Sequence, residues 1–248
     1  MIYIWIRRTV DWADEVAALD QLTDPWLIPK VPLWNSTFDM TFQRFRYRLG
    51  QIAELNHSRV AGARRAEWEE IPDGALVLPA DDDDWFAPDA ARTLGQGLDP
   101  GVTGYLWPSR WFEVPIDVRH RIHLLRRRLF PSTAPKWTCS TNNYAVVKGP
   151  GAKPLLGSHL DASRWFDGQL ESGTGAVKRI DAELSVANRT LGSQTTLSQR
   201  RLTIRRSELV RKFRRYRRLY DHPPPPELDW CRPYLKLMSE LMGELGLR

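Results

Sequence analysis

With 248 residues, 42% of them hydrophobic and 27% charged, the chain is large enough for a globular domain with a small appendage and too apolar for a disordered protein. Its net charge of +6 comes from one segment, Arg200–Arg218, which has ten basic residues and one acid. This excludes a uniformly basic nucleic-acid binder and indicates a local anionic partner. No apolar run reaches the roughly 20 residues of a membrane-spanning helix. Cys139 and Cys231 have no metal-type or disulfide spacing, so we expect a cytoplasmic protein.

Strand and helix patterns alternate along the chain, which predicts an α/β fold. The predicted strands are the apolar runs Ile2–Ile6, Ala75–Pro79, Gly104–Trp107, Trp111–Val114, Tyr144–Val147 and Ile180–Val186. The predicted helices are Val16–Leu22, Thr37–Val60, Ala87–Leu94 and the basic stretch Arg119–Arg128.

The pattern changes after Ser198. A basic helix with an apolar stripe is predicted within Arg200–Arg218, and four prolines, Pro223–Pro226, form a stiff spacer. Apolar residues at helical spacing then predict an amphipathic helix over Tyr234–Leu245. We therefore predict an α/β domain at residues 1–198 and a basic helical extension at residues 199–248.

An acidic cluster, Asp81–Asp84, directly follows the predicted strand Ala75–Pro79. In α/β sheets ligands gather at the carboxyl ends of strands. The repulsion among four adjacent carboxylates must be relieved by raised pKa values, basic partners or a cation. Mg²⁺ and Mn²⁺ prefer oxygen ligands, and Mg²⁺ takes one or two carboxylates together with substrate phosphates. The cluster therefore predicts a divalent-cation site, with a solvated acidic turn as the alternative.

The sequence from Ala75 to Asp89, ALVLPADDDDWFAPD, resembles the signature of GT-A glycosyltransferases: an apolar strand, Asp-x-Asp-Asp, an aromatic residue and Pro-Asp. The resemblance implies a GT-A (Rossmann-like) mixed sheet flanked by helices. It also implies transfer of a sugar from a nucleotide to a hydroxyl acceptor, in bacterial surface glycan or polysaccharide synthesis.

In that family the first aspartate contacts the nucleotide ribose and the second contacts the cation that bridges the donor phosphates. Asp81 would take the first role and Asp83 the second, with Asp82 and Asp84 in support. The resemblance thus implies Mn²⁺ or Mg²⁺ at Asp81, Asp83 and Asp84. The donor, a UDP-, dTDP- or GDP-sugar, would bind at Arg7, Asp81, Asp82 and Arg189.

Two further segments resemble parts of the family. The segment Trp137–Asn143 resembles the loop that contacts acceptor and donor sugar, which implies acceptor or sugar contacts from Trp137, Ser140, Thr141, Asn142 and Asn143; a hydrogen-bonded turn is the alternative. The segment Val186–Thr196 resembles a loop of bacterial rhamnosyltransferases that closes over the donor, where Arg189 would offset pyrophosphate charge; a flexible loop is the alternative.

His159 and Asp161 follow a glycine-rich stretch, in a part of the chain where GT-A enzymes often place a catalytic carboxylate or a metal ligand. An inverting transfer needs a general base to take the acceptor proton. Asp161 is the candidate base, and His159 is a ligand or an alternative base. A surface histidine and a helix cap at Asp161 are the alternatives.

The segment Arg200–Arg218 has three interpretations: a helix on an anionic membrane surface, a nucleic-acid patch, or a solvated helix that packs its apolar stripe on the domain. Among the two binding functions we favour contact with the inner membrane face, because many bacterial glycan acceptors are lipid-linked pyrophosphates; a nucleic-acid partner is not expected. Two other function classes stay open: a metal-dependent phosphohydrolase or nuclease, and a non-enzymatic RNA- or membrane-binding module.

Overall fold

The computed structural model describes residues 1–7, 40–81, 83–113, 137, 139, 142–157, 159–189 and 223–244. At residues 40–48, 113, 154, 155, 157, 159, 189 and 242–244 it describes the backbone alone. The chain divides into two compact units. The first comprises Met1–Arg8, Ala53–Trp111 and Ser132–Asn188, and the second comprises Thr9–Ile52, Phe112–Pro131 and Arg189–Arg248. The predicted boundary at residues 198 and 199 lies outside the described residues.

The described strands are β1 (Ile2–Arg7), β2 (Ala63–Arg65), β3 (Leu76–Asp81), β4 (Trp85–Phe86), β5 (Gly104–Leu106), β6 (Arg110–Glu113), β7 (Tyr144–Val147), β8 (Val177–Arg179) and β9 (Ser185–Arg189). The described α-helices are α1 (Met40–Ser58), α2 (Ala90–Gln96), α3 (Ala152–Gly157), α4 (His159–Ser172) and α5 (Arg232–Glu244). Short 3-10 helices lie at Trp68–Glu70 and Pro226–Cys231.

A mixed six-stranded sheet of order β2-β1-β3-β7-β5-β8 forms the centre of the first unit. Strand β1 pairs in parallel with β2 and β3, and β5 pairs in parallel with β8. Strand β7 lies antiparallel to both β3 and β5. The α/β prediction is therefore confirmed: every strand of this sheet except β7 runs in the same direction.

The inner strands β1, β3, β5 and β7 are largely buried because they are nearly continuous apolar runs, the pattern of strands covered on both faces, whereas the edge strands β2 and β8 are more exposed. Val77 and Leu78 in β3 are fully buried. Helix α4 contributes Ala162 and Phe166 to the core beside Val77 and Tyr144. Gly104 permits this packing, since a Cβ atom there would lie 2.6 Å from the Trp165 ring.

A second, three-stranded sheet has the order β4-β9-β6. Strand β4 pairs antiparallel with β9, with Trp85 opposite Val186. The predicted strand Ile180–Val186 is wrong in its bounds: two strands, β8 and β9, lie on either side of residues 180–184. The connection between them is held by Glu183, whose carboxylate accepts two hydrogen bonds, of 2.7 and 2.9 Å, from the Arg110 guanidinium.

In the second unit the terminal amphipathic helix is confirmed as α5. Tyr234, Met238 and Leu241, which recur at helical spacing, are buried. Pro226 opens the 3-10 helix that precedes α5. The long helix predicted over Thr37–Val60 is confirmed as α1, of which Ala53–Ser58 belongs to the first unit. The predicted elements Val16–Leu22, Arg119–Arg128 and the basic segment Arg200–Arg218 lie outside the described residues.

Candidate functional site

One edge of the six-stranded sheet collects polar side chains. The carboxyl ends of β1, β3, β5 and β8 meet there with the start of β7, and we call this the carboxyl edge. It carries Arg7 at the end of β1, Asp81 at the end of β3 and Arg179 at the end of β8, with Asn142 and Asn143 immediately before β7. Open α/β sheets bind their ligands outside the carboxyl ends of strands, so this is where a site is expected.

Arg7 and Asp81 are partners in the parallel register of β1 and β3. The Arg7 guanidinium donates to the Asp81 carboxylate over 2.8 Å and to the Leu156 carbonyl over 2.9 Å. The Arg7 side chain is 11% exposed and that of Asp81 is 34% exposed. Arg7 therefore offsets part of the negative charge of the acidic cluster from inside the protein.

Asp83 and Asp84 lie in a turn before β4, the acidic turn, and the Asp84 N–H is donated to the Asp81 carbonyl over 3.3 Å. The Asp83 side chain is half-buried, whereas Asp84 is buried. The Asp84 carboxylate accepts the backbone N–H of Asn188 over 2.8 Å. This bond ties the turn to β9, so the geometry gives Asp84 a structural function.

The last residues of helix α1 form hydrogen bonds with the turn and with strand β4 beside it. The side-chain amide of Asn56 donates to the Phe86 carbonyl and accepts the Phe86 N–H, both over 2.8 Å. His57 lies 3.1 Å, through Nε2, from the Asp84 carbonyl, which can only accept, so Nε2 carries the proton. Burial, reinforced by the positive charge of Arg65, lowers the pKa of His57 to about 4. His57 is therefore neutral at physiological pH.

Asn142 and Asn143, which lie immediately before β7, donate hydrogen bonds to backbone carbonyls of neighbouring segments. Asn142 donates through Nδ2 to the carbonyls of Trp85 and Val186, over 3.2 and 3.0 Å, and thereby links β7 to the β4–β9 pair. Asn143 donates to the Trp107 carbonyl over 2.7 Å. Both asparagines are fully buried. Their predicted sugar contacts stay a prediction, and the contacts seen are structural.

Trp137 and Arg179 form a cation–π pair at the far end of the carboxyl edge, with the guanidinium carbon 5.4 Å from the ring centroid. Trp137 is half-buried and Arg179 is exposed.

Burial raises the pKa of the nearby Cys139 thiol to about 12, with the Asp167 charge as a smaller cause. Burial likewise raises the pKa of Tyr144, offset in part by Arg7. Both groups stay protonated at neutral pH, so Cys139 is not a thiolate.

Helix α4 places the predicted catalytic pair in its first turn. It begins at His159, three residues after Leu156, whose carbonyl binds Arg7. Asp161 is exposed and lies 3.7 Å from Arg164 on the same helix, an acid in the first turn, where it complements the helix dipole. The start of α4 thus lies close in sequence to the Arg7 contact, and the role of Asp161 as a base stays a prediction.

Several predicted site residues lie outside the described residues: Asp82, Ser140 and Thr141. Arg189 closes β9 and His159 opens α4, and the structure describes only the backbone of both. Among the described residues no group of three or more His, Cys, Asp or Glu side chains could hold a metal ion.

His57 and Asn188 contact the acidic turn and Asn56 contacts strand β4 beside it, and none of the three was predicted as a site residue. Asn56 and His57 lie in the last turn of α1, a helix for which the apolar stripe predicted only packing against the core. The sequence signal that could have pointed to them is the pair of adjacent polar residues in that turn. Asn188 lies in the segment Val186–Thr196, in which only its neighbour Arg189 was predicted to bind the donor. Their contacts join residues 27 to 104 positions apart, which no local pattern could reveal.

Together the described residues define an α/β protein with a braced acidic turn at the carboxyl edge of a mixed sheet. No protein-family model matches the chain, and no curated protein matches it significantly. Within the described part of the chain, no helix has both the length and the apolar character needed to cross a membrane.

Proposed function

We propose that the protein is a metal-dependent glycosyltransferase of the GT-A type, which transfers a sugar from a nucleotide-sugar donor to a hydroxyl group of a glycan or lipid-linked acceptor. The observation that supports this most directly is the position of the acidic turn. Asp81 ends β3 next to Arg7, at the edge where parallel strands present their carboxyl ends. A donor diphosphate placed there would meet the carboxylates of Asp81 and Asp83 next to the Arg7 guanidinium.

The side chains present fit a cation that completes its coordination with substrate phosphates and water. Asp81 and Asp83 are partly exposed oxygen donors, and such a cation needs one or two carboxylates from the protein. When bound, Mn²⁺ or Mg²⁺ would supply positive charge to the donor diphosphate. We assign Asp83 and Asp81 to this cation, and leave Asp84 to its bond with β9.

Side chains of the protein orient the metal-binding carboxylates and provide the candidate base. Arg7 holds the Asp81 carboxylate in one orientation through its 2.8 Å bond and limits the repulsion among the aspartates. The bonds from Asn56 to Phe86 and from Asn142 to Trp85 keep the turn rigid, so little reorganisation is needed when the donor arrives. Asp161 is the candidate base for the acceptor hydroxyl.

The acceptor is proposed on the sequence alone. The basic segment Arg200–Arg218 would attract an anionic, lipid-linked acceptor at the inner face of the cytoplasmic membrane. The protein would then work in the cytoplasm, peripherally on that face, in the synthesis of a surface glycan or polysaccharide.

A thermal-shift screen tests the proposal. The protein is heated with UDP-, dTDP- or GDP-sugars, each with and without Mn²⁺. We expect one nucleotide class to raise the melting temperature in the presence of the cation and to have little effect without it. Absence of stabilisation by every nucleotide sugar in the presence of Mn²⁺ would contradict the proposed function.

A further inference from the structure

Asn188 carries a buried side-chain amide that forms no hydrogen bond within the part of the chain that the structure describes. The residue is 2% exposed, and neither its Oδ1 nor its Nδ2 atom has a partner. Its backbone N–H donates to the Asp84 carboxylate. A buried donor or acceptor without a partner costs about 1–3 kcal/mol, so such groups are rare unless water, an ion or a ligand satisfies them.

The position of this amide links it to the acidic turn. Strands β4 and β9 are antiparallel, with Trp85 opposite Val186. Beyond that pair, the Asn188 backbone N–H donates to the Asp84 carboxylate over 2.8 Å. Asp84 directly follows Asp83, so Asn188 lies beside the turn that carries Asp83.

A second unsatisfied acceptor lies near the same strand pair. Asn142 donates through Nδ2 to the carbonyls of both Trp85 and Val186, yet its Oδ1 atom is buried and has no partner among the described residues. The amides of Asn188 in β9 and of Asn142, which is bonded to both strands of the β4–β9 pair, thus leave one donor and two acceptors without a partner among the described residues, in a region that already holds the Asp84 carboxylate.

The mixture of donor and acceptors selects the chemistry of the ligand. Neighbouring hydroxyl groups of a sugar ring each donate one hydrogen bond and accept others, so they match an amide beside a carboxylate. An ionised phosphate only accepts and would leave both amide oxygens unsatisfied. An apolar group would satisfy none of these atoms.

We infer that Asn188 binds hydroxyl groups of the sugar carried by the donor, with Oδ1 of Asn142 as a second contact. The inference rests on the proposed function, in which Asp81 and Asp83 hold the cation of the donor diphosphate. Asn188 is bonded through its backbone to Asp84, the residue after Asp83, so its amide lies beside the diphosphate to which the transferred sugar is attached. Asn188 is thus a specificity-determining residue for that sugar.

The test compares two ligands in one variant. Asn188→Leu keeps a similar side-chain volume and removes both polar atoms. Calorimetric titration at saturating Mn²⁺ measures the Kd of the nucleotide sugar that stabilises the wild-type protein, and the Kd of the matching nucleoside diphosphate. We expect roughly tenfold weaker binding of the nucleotide sugar, the loss of about one well-formed hydrogen bond, and an unchanged Kd for the nucleoside diphosphate.

Two controls separate binding from folding. Asn188→Leu should melt at the wild-type temperature or above it, because the replaced amide has no partner to lose within the described protein. Asn142→Leu should lower the melting temperature, because it removes two bonds that join β7 to the β4–β9 pair. If Asn188→Leu does not fold, Asn188→Ala provides the same comparison of the two ligands.

Other outcomes overturn the inference. Equal weakening of both ligands would mean that Asn188 serves the nucleotide, and an unchanged Kd for both would mean that the amide holds only an enclosed water molecule. A wild-type protein that binds neither ligand would refute the proposed function and this inference together. A wild-type protein that binds both, without the selective loss in the variant, would refute this inference alone.

Discussion

Arg7 and Asp81 face each other across two parallel strands, and the guanidinium of the first donates to the carboxylate of the second over 2.8 Å. The same guanidinium donates to the Leu156 carbonyl, so one side chain joins β1, β3 and the end of α3. Because Arg7 is largely buried, its charge acts on the acidic turn through protein and not through water.

Arg7→Met should lower the free energy of unfolding by about 2 kcal/mol, because it removes two charge-assisted hydrogen bonds and leaves the Asp81 charge uncompensated. Urea unfolding followed by circular dichroism measures the change. Arg65→Met is a matched control at the end of β2: its ion pair with Glu54 is exposed on both sides, and its loss should cost about 0.5 kcal/mol or less. Equal costs for both variants would contradict the assignment to Arg7.

Asn56→Leu should lower the free energy of unfolding by about 2–4 kcal/mol, because the N–H and the carbonyl of Phe86 would both be buried without their partner. Urea unfolding measures this as well. Ser58→Ala, two residues further on the same helix, removes an exposed bond to the Leu55 carbonyl and should change stability by less than about 0.5 kcal/mol. A neutral Asn56→Leu would mean that α1 does not anchor the turn.

Stability should fall in mild acid because of His57. Its pKa is about 4 in the folded protein, against 6.5 as the ordinary value, so between these two pH values the unfolded chain binds a proton that the folded protein does not. The contribution is fully present above pH 6.5 and is lost as pH falls towards 4, about 3 kcal/mol in total. Urea unfolding of wild type and His57→Gln at pH 7.0, about 5.5 and about 4.5 measures it. The variant should show the smaller decrease, and parallel decreases in the two proteins would exclude His57 as the cause.

Gly104→Ala should lower the free energy of unfolding by about 1–3 kcal/mol, because the new Cβ atom would lie 2.6 and 2.8 Å from atoms of the Trp165 ring and push α4 off the sheet. Gly168→Ala on the same helix meets nothing within 4 Å and should raise stability by about 0.5–1 kcal/mol through helix propensity. Thermal unfolding of both variants compares the two effects. A Gly104→Ala protein that melts at or above the wild-type temperature would show that α4 is free to shift.

The four inner strands of the central sheet, β1, β3, β5 and β7, were predictable because each is a short apolar run, whereas the edge strands β2 and β8, which are rich in Arg and Lys, were not predicted. Strand β3 and its acidic turn are the clearest case: Ala75–Pro79 was predicted and Leu76–Asp81 is observed. Strand β7 was predicted at its observed bounds. The predicted strand Ile180–Val186 covers the connection after β8 and only the first two residues of β9, because Val186 continues the apolar pattern of a connection that the ion pair between Glu183 and Arg110 holds.

The position of the candidate site could be predicted from the sequence, but the contacts that hold the acidic turn in place could not. Four aspartates after an apolar strand are a local pattern, so Asp81 was placed at the end of β3. The contacts of Asn56, His57 and Asn188 depend on how α1 and β9 pack against the turn. The sequence also assigned Arg7 to the donor; in the structure its guanidinium donates to Asp81 and Leu156, and its contact with the donor stays a prediction.

The proposed function depends on cation-dependent binding of a nucleotide at Asp83. The direct measurement is calorimetric titration of the nucleoside diphosphate that stabilises the wild-type protein, with and without Mn²⁺, into wild type and Asp83→Ala. We predict binding by the wild type only with Mn²⁺, and at least a tenfold loss in the variant at an unchanged melting temperature. Cation-dependent binding of equal strength in a folded Asp83→Ala protein would contradict the account.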